Sequence, residues 1–135
     1  MLGALNTYDA LLAILKEDSD ESEEQIDALI RRAGWEPVRD GVYKVLLDPA
    51  QREHGRAAAA VFWGAVLDQR PLDPDRTIAV LYRNLRDQPA EAPSVMNSLE
   101  NLVWSITAKL KNKGYLSDYD PLEDPGVKRE LERLT

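Results

Sequence analysis

One histidine and a knot of four carboxylates are the side chains of this sequence best suited to chemistry. His54 is the only histidine, so any histidine-dependent proton transfer or metal binding would pass through it. With no second histidine and no cysteine to join it, zinc is not expected, and thiolate chemistry and disulfides are excluded. A serine hydrolase has no support either, because no G-x-S-x-G turn is present to expose a nucleophile. We read His54 as a surface or capping residue in the first turns of a helix.

The carboxylates are Asp118, Asp120, Glu123 and Asp124, in a stretch that also holds Tyr115 and Tyr119. Asp118-x-Asp120 opens like a calcium loop. Leu122 then stands where the third ligand belongs and no glycine follows it, so the EF-hand pattern fails. Paired carboxylates can run glycoside hydrolysis, but only across a cleft with a set separation, which spacing along the chain does not define. The simpler reading uses the prolines. Asp120-Pro121 and Asp124-Pro125 are helix-start pairs, the aspartate capping and the proline taking the first helical position. No metal and no cofactor is expected.

Charge narrows the partners. The 135 residues carry a formal net charge of -7, the wrong sign for nucleic acid, which demands a basic surface. No phosphate-binding glycine loop, dinucleotide fingerprint or basic aromatic patch is present, and the most basic helix end, residues 109–113, is followed by acids. The strip Glu17-Asp18-Ser19-Asp20-Glu21-Ser22-Glu23-Glu24 could dock a basic protein. Its plainer role is a solvated linker whose last carboxylates suit the dipole of the next helix, and that reading is preferred. The N-terminal segment lacks a basic leader and carries Asp9 inside its apolar run, which reads as an amphipathic helix. A cytoplasmic protein without membrane contact is the resulting expectation.

These groups have to be positioned by helices. Residues 57–67, AAAAVFWGAVL, hold no polar side chain, yet are too short to cross a bilayer, which takes about 20 apolar residues. A helix apolar on every side must be surrounded, so this run is expected to be the central helix of a bundle, with Phe62 and Trp63 as packing residues. Its helical pattern begins near Asp48-Pro49, and the same Asp-Pro device recurs at Asp73-Pro74.

Ahead of it, Tyr8, Leu11, Leu12 and Leu15 have helical spacing behind Asn6 or Thr7 as cap. Ser22 to Gln25 reads as a capping box opening a stripe of Ile26, Leu29, Ile30 and Ala33 that Gly34 ends. Residues 35–47 are ambiguous. Asp40-Gly41 could turn a β-hairpin, whereas Val38, Val42, Val45 and Leu46 repeat as in a helix. A lone hairpin would lack further strands to join, so a helix is preferred there, with a start only after Gly41 also open.

Beyond the central run, Ile78, Leu81, Tyr82 and Leu85 mark the next helix. A long one follows from Pro93 with Met96, Leu99, Val103, Ile106 and Leu110 as its stripe, Val95 and Leu102 widening it and Gly114 as its cap. Val127, Leu131 and Leu134 place a last short helix against the body.

Trp104 falls off the long helix's core stripe, in line with Glu100, Asn101, Ala108 and Lys111. Either the C-terminal tail covers it through Tyr115, Tyr119 or Leu122, or it stands exposed as a partner anchor. Coverage by the tail is the preferred reading, since those aromatics need somewhere to pack.

Trp35, Asp40-Gly41, residues 42–47, Asp48-Pro49 and residues 57–63 together resemble an uncharacterised family of small helical bacterial domains of unknown function. That pattern is a Trp, an acidic-Gly turn, an apolar helix, an Asp-Pro or Asn-Pro junction and an alanine-rich helix ending in an aromatic-Trp pair. Here Trp35 stands further from Asp40-Gly41 than in the pattern. Residues 35–67 are about a quarter of the chain, and the resemblance implies helices on both sides of Asp48-Pro49 and no activity.

The sequence thus predicts one all-α domain of six or seven helices around an alanine-rich helix. Its expected function is non-enzymatic protein binding in the bacterial cytoplasm, as an immunity protein that neutralises a toxin or as an adaptor. Trp104, Tyr115, Tyr119, Asp118 and Asp120 are the candidate partner-binding residues. The competing readings are a hydrolase or metal-dependent enzyme built on the acidic C-terminal segment, and a structural helical module.

Overall fold

Side-chain caps turn the chain at most of its corners. The computed structural model describes residues 6–88, 93–114 and 117–134. Asn6 Oδ1 accepts from the Asp9 N–H at 2.8 Å and opens α1 (Thr7–Glu17). Asp73 and Asp124 accept in the same way from Arg76 and Gly126, opening α5 (Pro74–Arg86) and α7 (Pro125–Arg133), each with proline inside the first turn. Such a cap is worth about 1 kcal/mol. With α2 (Ser22–Ala33), α3 (Trp35–Leu47), α4 (Gly55–Leu67) and α6 (Pro93–Lys111), seven α-helices and no strand occur among the described residues. The all-α bundle is as expected.

Several local expectations meet a different outcome. The capping box at Ser22 does not form. The Ser22 hydroxyl turns back to accept from the Ser19 N–H at 2.9 Å, Glu21 precedes the helix without a side-chain bond, and Gln25 Oε1 is buried with no hydrogen-bond partner among the described residues. Ser22 is itself the first residue of α2, one position inside the cap site that Glu21 occupies.

Asp40-Gly41 is no hairpin turn, because α3 runs unbroken from Trp35. Gly41 instead lets α1 come close, since a Cβ there would lie 2.8 Å from Leu11 Cδ2. After Asp48-Pro49 the chain forms a 3-10 segment, Pro49–His54, and α4 begins only at Gly55. Asn84 of α5 and Gln88 just beyond it clamp that junction. They donate to the Leu46 and Arg52 carbonyls at 3.1 and 2.8 Å.

The last turn of α6 closes on Asn112 and not on Gly114. Asn112 is left-handed at φ 54°, and the Lys113 N–H reaches back to the Ala108 carbonyl at 2.8 Å. Val95 and Met96 of its expected stripe have side chains outside the described residues, whereas Leu99, Val103 and Ile106 are buried as expected.

The core forms around α3, which packs against α1, α2, α4 and α5 and buries Val38, Val42, Tyr43, Val45 and Leu46. Phe62 of α4 is fully enclosed beside Tyr43, with ring centres 5.2 Å apart. A smaller cluster of Ile78, Ala79 and Val127 seats α7 on α5.

For α4 itself the expectation of enclosure on all sides needs correcting. Ala58, Ala59, Phe62 and Ala65 face inward and are buried, and the helix packs on α3 and α6. Ala60 is exposed, Val61, Trp63 and Gly64 are half-buried, and Leu67 is 56% exposed. An apolar sequence states that burial is favourable, not that a neighbour exists to provide it. No described helix is long and apolar enough to cross a membrane.

Candidate functional site

The open side of α4 is the floor of a groove of about 390 Å³. That volume lies near the lower end of the roughly 300–1,000 Å³ typical of ligand sites. Ala57, Ala60, Val61 and Gly64 form the floor, Ile14 and Leu15 of α1 with Ile26 and Ile30 of α2 form one wall, and Trp63 and Leu67 border the other side. Trp35 closes an end. Its indole N–H donates to the Pro71 carbonyl at 2.7 Å, and the Arg70 guanidinium lies 5.9 Å from its ring centre.

The helix sequences place these groups plainly. Ile26 and Ile30 belong to the apolar stripe of α2, and Ala57, Ala60, Val61 and Gly64 are spaced to share one face of α4. Gly64 has no packing reason to be glycine. A Cβ built there meets nothing within 4 Å among the described residues, whereas one at Gly55 would press on Asn84 Oδ1.

The rim is acidic. Asp18, Glu23, Asp27 and Asp68 line it with Arg70 as the only basic residue among the lining residues, and none of the four carboxylates forms an ion pair among the described residues. Asp18 and Asp68 follow the last residues of α1 and α4 directly. Both sit where a helix dipole already disfavours negative charge. The acidic strip of the sequence therefore reaches the groove through Asp18, Ser22 and Glu23.

The residues singled out from sequence lie elsewhere. Trp104 is half-buried and shares a separate, shallow cleft with Trp63, Ala108, Lys109 and Asn112. That places α4 beside Trp104, a neighbour its position along α6 did not suggest. Tyr115 is outside the described residues. Asp118 is exposed, and Asp120 caps a short 3-10 turn, Pro121–Glu123, by accepting from the Leu122 N–H at 3.0 Å.

Tyr119 belongs to a polar latch. Its hydroxyl donates to Asp124 Oδ2 at 2.8 Å, and Lys111 of α6 bridges Asp124, at 3.2 Å, and Asp75 of α5. Partial burial alone would raise the Asp124 pKa, but hydrogen bonds from Tyr119, Lys111 and the Gly126 N–H outweigh it and hold the carboxyl below its ordinary value. Burial and the bond to Asp124 together push the Tyr119 phenol well above its usual range. Burial opposes charge on Lys111 too, yet its two carboxylate partners raise its pKa.

A carboxylate so engaged is a fastener for the tail. His54 ends the 3-10 segment ahead of α4 and pairs with its neighbour Glu53 at 3.4 Å. Among the described residues no three histidine, cysteine or acidic side chains gather as a metal-binding group.

Sequence reasoning had Trp63 and the acidic strip in hand and missed that they border one groove. The signal was the spacing of Ala57, Ala60 and Gly64, which leaves one face of an apolar helix without bulk. No family model, no curated protein and no solved structure matches this chain.

Proposed function

We propose that this chain is a non-enzymatic protein-binding module of the cytoplasm, and that the groove between α1, α2 and α4 is its docking surface. The observation that carries the reading is the open face of α4, where apolar residues from four helices line one continuous trough. Apolar area of this kind gains about 25 cal/mol per Å² when a partner covers it. An adaptor, or an immunity protein that neutralises a toxin, would use such a surface. In the tail, by contrast, Asp120 and Asp124 are engaged in caps and in the latch and Glu123 pairs with Lys128, which gives the hydrolase reading no comparable support.

Photo-crosslinking tests this. A benzophenone side chain at position 67, on the exposed border of the groove, is expected to yield a discrete protein adduct in cells, and the same group at position 128, on α7, is not. Equal labelling from both positions, or none from position 67, would count against the groove.

A further inference from the structure

Resting on that reading, we infer that the occupant of the groove is an amphipathic helix of a basic protein, seated with its apolar face on α4 and its lysines or arginines on the rim. The charge pattern selects it. Asp18, Glu23, Asp27 and Asp68 line the groove, and Arg70 is the only basic residue among its described lining residues. That guanidinium is already placed over the Trp35 ring.

Two of the carboxylates occupy costly positions. Asp18 and Asp68 stand at the C-terminal ends of α1 and α4, where the helix dipole concentrates partial negative charge. Asp18 is also in the left-handed conformation, which glycine adopts with less strain. A fold selected for stability alone would place neutral or basic groups there. Together the helix ends and carboxylates focus negative potential at the mouth of an apolar trough, the counterpart of a helix with an apolar stripe between basic flanks.

Gly64 agrees with the shape. In mid-helix, glycine is less stable than alanine, and here no neighbour forbids a Cβ. No described atom within 4 Å of that position stands in the way of an incoming helix. A second copy of this chain is the wrong occupant, because a two-fold contact through this face sets the acidic rim against itself. Anionic lipid and nucleic acid meet the same repulsion.

The probe is a synthetic helical peptide with leucines at i, i+3, i+4 and i+7 and lysines on its flanks, compared with a peptide whose flanks are glutamate. Binding is read from tryptophan fluorescence and calorimetry, and the neutral dye Nile red reports apolar access independently of charge. The lysine peptide is expected to bind, with affinity falling about tenfold or more between low and high salt, and the glutamate peptide to bind at least about tenfold more weakly.

Gly64→Gln, which fills the groove without changing charge, is expected to abolish both peptide and dye binding. The triple variant Asp18→Asn, Asp27→Asn, Asp68→Asn is expected to keep the dye, melt no lower than the parent and lose the preference for lysine.

Equal binding of the two peptides, or dye binding that Gly64→Gln blocks without any binding of the lysine peptide, overturns the basic-helix inference and leaves the groove reading standing. If neither dye nor peptide responds to Gly64→Gln, both fall.

Discussion

The Trp35 indole N–H and the Pro71 carbonyl meet at 2.7 Å, joining the first residue of α3 to the loop after α4. One hydrogen bond thereby fixes an aromatic wall of the groove and the loop that carries Arg70 over it. Trp35→Phe keeps one aromatic ring of the indole and removes the donor with the pyrrole ring. It is expected to cost about 1 kcal/mol in chemical denaturation, with faster amide exchange at residues 69–72 as the local signature.

Two glycines near helix starts and middles make opposite predictions. Gly64 faces open space, so Gly64→Ala should stabilise the fold by about 0.5–1 kcal/mol. Gly126 lies against the Asp75 carboxylate, where a Cβ would collide with a group held by Lys111. Gly126→Ala should therefore destabilise, by about 1–3 kcal/mol. Denaturation midpoints of the two variants measure the signs directly.

The buried Tyr43 hydroxyl and Thr77 Oγ1 share a hydrogen bond of 2.7 Å. Tyr43→Phe leaves the threonine hydroxyl without that partner and should cost about 1–2 kcal/mol. Replacing the threonine as well, by Thr77→Val, should cost less than the sum of the single changes, because no polar group is then stranded. A double-mutant cycle gives the coupling.

The latch fixes a pH window for the tail. The Asp124 pKa is lowered in the folded protein, so its contribution is present above the ordinary carboxylate value and is lost as pH falls through the folded value. Lys111 and Tyr119 are raised, so theirs is present below the ordinary amine and phenol values and is lost as pH rises through the folded ones. Burial raises Tyr8, Tyr43 and Tyr82 as well, so tyrosine absorbance should show several phenols ionising late, and Asp124→Asn should bring the Tyr119 phenol down. Lys111→Met removes the bridge between Asp75 and Asp124 and should cost about 1–3 kcal/mol at neutral pH.

What the sequence made legible was mostly local. Asn6, Asp73 and Asp124 cap their helices because a side chain and a backbone donor two or three residues apart need nothing else. The helical spacing of Val38, Val42 and Val45 outweighed the turn signal of Asp40-Gly41, since a glycine that meets a neighbouring helix looks the same in sequence as one that turns. Ser22 failed as a cap through competition from Ser19, two hydrogen-bond geometries that differ little along the chain.

The groove was illegible for another reason. It depends on how α1 and α2 lean on α3, a tertiary angle that leaves α4 uncovered on one side. Trp104 likewise faces a cleft shared with Trp63 because α4 and α6 pack together, which its own helix does not encode.

Amide shift mapping distinguishes a partner seated on the open face of α4 from one bound elsewhere. On titration with the lysine-flanked helical peptide, the largest shifts are expected to cluster at Ile14, Ile26, Ile30, Trp35 and Gly64, together with the Trp35 and Trp63 indole signals. Shifts confined to Trp104, Lys109 and Asn112, with Gly64 and Ile30 unmoved, would contradict docking on α4.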